Sequence, residues 1–395
     1  MTAGGAWEVF RAFLTLGLTS FGGPLAHLGY FRTEFVERRK WLDETAYADI
    51  VALCQFLPGP ASSQVGLSIG LLRAGMAGAA AAWVGFTAPS AIAMILFAYG
   101  VTAAGDLSSA AWLHGLKIVA VAVVAQAVWG MAKTLCPDRA RASLAVAAAI
   151  LVLAVPTAWG QVGAIAAGGL AGWLALGSGA AAPGHPLALT VGRGTALTAL
   201  AIFFALLVGL PILAAATGEY SIQLVDGFYR TGSLVFGGGH VVLPLIQAEV
   251  VPPGWIGNDA FLAGYGAAQA LPGPLFTFAA YLGAAMGPQP SGWPGGLICL
   301  LAVFAPSLLL VVGTLPFWEA LRGRAAVQSA LRGVNAAVVG LLLAALYTPV
   351  WTSAIGAPAD FAIGAVAFLL LVFWRAPPWL VVVLGAAAAQ GLAAV

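Results

Sequence analysis

The chain has 395 residues, 61% of them hydrophobic and only 8% charged, with a mean hydropathy of +0.98. A soluble domain carries about 25% charged residues, so this chain would leave a large apolar surface in water and belongs in lipid. A net charge of +2 speaks against a nucleic-acid partner, and the cysteines Cys54, Cys136 and Cys299 match no metal or disulfide spacing.

Residues 1–6 hold no basic stretch and no cleavage site follows, so the first apolar segment is expected to stay in the protein. Apolar segments run over 6–31, 46–72, 77–104, 109–132, 142–158, 160–177 and 195–217. Six more cover 224–249, 260–287, 295–317, 327–349, 359–374 and 377–395. The sizeable loops are 32–44 and 178–194, the second rich in Gly, Ala and Pro as a linker would be. The expected organisation is an N-terminal repeat over 1–177, a linker with a connecting helix over 178–218, and a C-terminal repeat over 219–395.

The repeat is explicit. Phe13-x3-Gly17-x3-Phe21-Gly22-Gly23-Pro24 returns as Phe228-x3-Gly232-x3-Phe236-Gly237-Gly238-Gly239, and Gln55-x2-Pro58-Gly59-Pro60 as Gln269-x2-Pro272-Gly273-Pro274. Glu34 returns as Glu249, Trp41 as Trp255, Ala88-Pro89-Ser90 as Ala305-Pro306-Ser307, and Gly115-Leu116-Lys117 as Gly333-Val334-Asn335. All fall in order at an offset near 213–218, which marks a duplication.

Basic residues cluster in the cytoplasmic loops of membrane proteins. If the first two segments of each half dip in and return while the others cross, fourteen of the 16 Lys and Arg residues face one side. The remaining two, Lys117 and Arg230, lie inside apolar segments. The connections at 105–108, 159, 218–223, 250–259 and 350–358 then share the other side and hold no Lys or Arg. An odd number of crossings separates the halves whether those segments return or cross, so the halves are expected to be inverted. The fold expected is an all-α polytopic membrane protein with two homologous halves in inverted topology.

Pro58-Gly59-Pro60 and Pro272-Gly273-Pro274 sit inside apolar segments, where proline removes a donor and breaks the helix. A break at membrane depth is tolerated only when buried in protein or lining a polar cavity. The restarting helix then points free N–H groups and a positive dipole end at that cavity, which suits an anion. The glycine motifs let the backbone bend and let an anion approach closely. The candidate binding set is therefore Ser20, Phe21, Gly22, Gly23, Pro24, Gln55, Pro58, Gly59 and Pro60 with Phe236, Gly237, Gly238, Gly239, Gln269, Pro272, Gly273 and Pro274. Lys117 and its repeat partner Asn335 complete it, one with charge and one with hydrogen bonds only, although Lys117 is also placed to snorkel to the surface. Glu34, Glu249, His27 and His240 are candidates for a coupling proton, against plain readings as solvated segment ends and packed histidines. No P-loop, Gly-x-Ser-x-Gly or His-Glu-x-x-His sequence is present. The chain therefore reads as a gradient-driven carrier without cofactor or metal, and not as an enzyme or primary pump.

Phe-Gly-Gly-Pro followed by Glu34 and Trp41, then Gln-x2-Pro-Gly-Pro, with the same set again in the second half, resembles the chromate ion transporter (CHR) family in its long, two-domain form. The likeness covers about 7–135 and 224–345; Gly239 stands where the first half has Pro24. The resemblance implies a bacterial inner-membrane carrier that exports chromate and confers chromate resistance, acting through the Phe-Gly-Gly and Pro-Gly-Pro positions. The residues alone reach an anion carrier, with sulfate or another oxyanion, or an anion channel, as alternatives. The partners expected are the oxyanion and the lipid bilayer, with a homodimer admitted.

Overall fold

The computed structural model describes residues 5–103, 111–176, 191–236, 239–318 and 324–393. The expected linker lies outside these up to residue 190, as do Gly237 and Gly238.

The described residues are helical, and glycine and proline set where each helix stops. α1 (Ala6–Thr19) ends before Ser20, and α2 (Gly23–Arg32) restarts with Pro24 in its first turn, where the missing N–H costs nothing. α3 (Glu44–Phe56), whose first turn is capped by Asp43 accepting from the Ala46 N–H at 2.7 Å, ends at Pro58-Gly59-Pro60. α4 (Ala61–Ala103) is two limbs, because Gly75 takes φ +61° and reverses the chain. α5 (Ala111–Leu135), α6 (Arg139–Ala154) and α7 (Ala158–Ala175) complete the first half, and α8 (Arg193–Thr217) follows. The second half runs α9 (Tyr220–Leu234), α10 (Val242–Val250), α11 (Asn258–Gln269), α12 (Phe278–Ala285), α13 (Gly292–Thr314), α14 (Ala325–Ala345), α15 (Pro358–Val372) and α16 (Pro378–Ala393).

Four of the apolar segments double back as helical hairpins. Phe13 of α1 stacks on Phe35 beyond α2, with ring centroids 4.8 Å apart. Cys54 of α3 meets Ser68 of the first α4 limb at 3.7 Å. Arg230 of α9 reaches Glu249 of α10 at 2.8 Å, and the Tyr281 hydroxyl of α12 donates to the Ala260 carbonyl of α11 at 2.9 Å. Among the described residues, five helical stretches are long and apolar enough to cross a membrane: Ala61–Ala103, Ala111–Leu135, Arg193–Thr217, Gly292–Phe317 and Ala325–Ala354. The chain is thus a multi-pass membrane protein, and several of the other apolar segments are made of shorter helices.

The halves interlock rather than sit side by side. α6 and α7 of the first half pack on α14 of the second, and α15 and α16 of the second pack on α5 of the first. Apolar burial gives helices little reason to associate in lipid, so small residues and close backbone approach must hold them. Gly333 of α14 faces the Gly168 carbonyl of α7, and a Cβ on its repeat partner Gly115 would stand 2.6 Å from the Gly385 carbonyl of α16. Within each half the same device closes the sharp reversal after a hairpin. Gly70 abuts Gly78 across the bend in α4, and Gly283 abuts Gly295 between α12 and α13.

Candidate functional site

The helix breaks of the two halves meet. The Gly59 N–H donates to the Val235 carbonyl at 2.6 Å, and the Gly273 N–H donates to the Ser20 carbonyl at 3.0 Å. Ser20 and Val235 occupy the same repeat position, as do Gly59 and Gly273. Each Pro-Gly-Pro tip is therefore pinned to the glycine-motif tip of the opposite half. Both contacts require glycine. Gly59 has φ +123° and Gly273 φ +96°, and a Cβ on Gly59 would stand 2.6 Å from both Gln64 Nε2 and Ser307 Oγ. A Cβ on Gly273 would stand 2.8 Å from Ser90 Oγ. Ser90 and Ser307 belong to the repeated Ala-Pro-Ser sequence, so that repeat marks where α4 and α13 receive the opposite tip.

A cavity of about 50 Å³ opens at this junction. Gly22 and Gly23 line it from the first half, and His240, Gln269 and Gly273 from the second; Gln126 of α5 adds an amide. Gly22 and Gly23 have φ +99° and +76°, which brings the backbone at the start of α2 to the cavity wall without a side chain in the way. The first N–H groups of α2 lack intrahelical partners. Gln269 Nε2 is buried at the cavity, near the Tyr265 hydroxyl. His240 is held by the Tyr265 hydroxyl, 2.8 Å from its Nδ1. No Lys, Arg, Asp or Glu lines the cavity among the described residues.

The remaining sequence candidates divide. Ser20 is fully buried with its Oγ unpartnered, beside the cavity through its carbonyl. Phe21, Pro24, Phe236, Pro58 and Pro272 are half-buried flanks of the breaks, while Pro60 and Pro274 are buried. Gly239 opens a short 3-10 turn that carries His240. Gln55 is exposed, whereas its repeat partner Gln269 lines the cavity. Lys117 lies away from the breaks, where its Nζ is 3.0 Å from Asp259 at the start of α11. Asn335 is half-buried in α14. His27 is packed edge-on against Phe86, and its Nε2 lies 3.2 Å from the Ser20 carbonyl. Burial alone would raise the Glu34 carboxyl, but the guanidiniums of Arg39 and Arg38 outweigh it and hold the group below its usual range. Glu249 pairs with Arg230.

Sequence reading missed three positions. Gln64 donates to the Pro58 carbonyl at 2.6 Å and braces the first Pro-Gly-Pro tip. Gln126 and Tyr265 are polar residues inside apolar helices, and that was the available signal. No three His, Cys, Asp or Glu side chains converge as a metal cluster among the described residues.

The family model described as Chromate transporter matches residues 7–173 and again 222–390. The chain is 27% identical over 340 residues to a chromate transport protein of Pseudomonas aeruginosa, covering 85% of this chain and 79% of that one. It is 25% identical over 379 residues to one of Cupriavidus metallidurans, covering 92% and 87%. An uncharacterized transporter of Bacillus subtilis, YwrA, is 34% identical over 153 residues, which is 80% of its length but 38% of this chain. A relative that is nearly complete within one half fits a chain made by duplication. No solved structure matches the chain. With both halves matched across most of its length, the chain belongs to the chromate transporter family.

Proposed function

We propose that the chain is a secondary carrier that moves chromate out of a bacterial cell across the cytoplasmic membrane, by alternating access at the cavity between its halves. The observation that carries this reading is the cavity itself. It lies where the broken helices of both halves meet, and its wall combines backbone and neutral polar groups, Gln126 and Gln269 among them, with apolar side chains. At about 10–15 Å³ per water-sized volume, 50 Å³ has room for one small tetrahedral oxyanion. Discontinuous helices meeting at a repeat interface are where secondary carriers place their substrates. The four hairpins act as re-entrant elements. The halves run in opposite senses across the membrane, as the Lys and Arg distribution supports. Two curated relatives named for chromate transport support the choice of anion.

The cavity's donors read shape and hydrogen-bond acceptors, which sulfate shares with chromate, so sulfate is the second reading. Chromate flux into proteoliposomes holding only this protein, with and without excess sulfate and with an imposed pH gradient, tests both. Saturable, gradient-dependent chromate flux is expected, with the depth of sulfate inhibition reporting selectivity. Absence of flux for either anion under every gradient would overturn the proposal.

A further inference from the structure

The α9–α10 hairpin holds a charged triad that the cavity does not use. The Arg230 guanidinium reaches Glu249 Oε2 at 2.8 Å and Asp226 Oδ2 at 3.1 Å, with all three side chains 10–15% exposed. One nitrogen, Nη2, serves both carboxylates, while Nε is buried without a partner and the Trp159 ring lies 5.6 Å away. With both acids ionised the triad carries one uncompensated negative charge among apolar helices. Holding such a charge there is costly, and two carboxylates at one site resist ionising together.

Among the described residues, the ion pairs of Asp226 and Glu249 both run to Arg230. α13 brings only Cys299 as a titratable group, α7 brings none, and α8 brings only Arg193 at its first residue. α14 carries Arg332. α11 carries Asp259, already paired with Lys117, and Tyr265, bonded to His240. On α9 itself, the Tyr229 hydroxyl donates to the Phe203 carbonyl at 3.1 Å, and Tyr220 lies at the first turn. The first half has no equivalent triad. Arg11 and Thr15 stand where Asp226 and Arg230 do, and Glu34 is shared by Arg38 and Arg39. The asymmetry gives one such group per chain rather than a repeated structural strut.

We propose that the Asp226–Arg230–Glu249 triad is a proton-binding site, in which the two carboxylates share one proton over Arg230 and its exchange ties anion movement to the pH gradient. The proton adds to a carboxylate oxygen and leaves from it, with no other bond changed. Among the described residues no Lys or Arg lines the cavity, so a proton taken up at such a group would offset part of an anion's charge. The coupling role rests on the transport reading above; the proton site itself does not.

Infrared difference spectra of the full chain in liposomes, between neutral and alkaline pH and without any anion, test the site directly. A protonated-carboxyl band is expected in the wild type and lost in both Glu249→Gln and Asp226→Asn. Either change leaves a single carboxylate, which Arg230 neutralises without a proton. His240→Gln should keep the band. Absence of the band in the wild type, or its survival in either triad variant, overturns the proposal. Each variant decides alone, so misfolding of one leaves the other informative. In proteoliposomes with an internal pH dye, both variants should move chromate with loss of the accompanying proton movement. A wild type that shows the band but carries no chromate would overturn the transport reading and leave the proton site standing.

Discussion

Replacing Gly59 with alanine tests the junction with the smallest available change. The residue sits at φ +123°, where a side chain costs about 1–3 kcal/mol. The added Cβ lies 2.6 Å from Gln64 Nε2 and from Ser307 Oγ, whereas ordinary contact begins at 3.4 Å, so both must retreat by about 0.8 Å. Gln64 cannot retreat freely, because its amide donates to the Pro58 carbonyl, a bond worth about 1 kcal/mol. The sum, about 2–4 kcal/mol, corresponds to roughly two orders of magnitude in rate if it falls on the step that moves the tips. Initial chromate flux in proteoliposomes should drop by that factor while membrane insertion is retained. Ser307→Ala in the same chain should restore only part of it, since the backbone strain remains. Gly100→Ala serves as control, lying within α4 with no atom within 4 Å of the added Cβ, and should leave flux unchanged. Wild-type flux from the Gly59 variant would refute the reasoning that the two tips meet through this glycine.

Gln269→Ala removes a cavity donor and should raise the KM for chromate about tenfold, as loss of a hydrogen bond to a charged ligand does. Lys117→Gln breaks a pair whose Asp259 side is 61% exposed; such pairs contribute about 0–1 kcal/mol, so KM should stay within about twofold. A large rise in KM would return Lys117 to the binding set. Gly70→Leu forces the two limbs of α4 apart at the Gly78 contact and should sharply lower the yield of folded protein in mild detergent. The Glu34 carboxyl is held below its usual value near 4.5, so its stabilisation is complete above that pH and is lost as pH falls through the lower folded value. Glu34→Gln should therefore flatten the acid side of a Tm-against-pH curve and leave the alkaline side unchanged in shape.

The helix breaks were legible because breaking a helix in lipid takes a short list of residues. Pro-Gly-Pro and Phe-Gly-Gly announce four interruptions, and the helices stop at each of them. Equivalence in sequence did not carry equal roles, however. Gln55 and Gln269 match in the repeat, yet one is exposed and one lines the cavity. Lys117 is charged within an apolar segment. Its length lets the ammonium reach Asp259 on a neighbouring helix, a partner 142 positions away that no local pattern points to.

Composition and repeated motifs by themselves determined that this chain lives in lipid, that it is duplicated, and where its helices break, because each depends on local chemistry: transfer of apolar side chains, and the backbone limits of glycine and proline. Tertiary structure alone decided what those breaks face. The glycine N–H of each Pro-Gly-Pro tip finds its acceptor in the opposite half, and the Asp226–Arg230–Glu249 triad forms only when α9 and α10 pack as a hairpin. Hydrogen bonds and charge balance are properties of pairs, and residues far apart in the chain become pairs only through the fold.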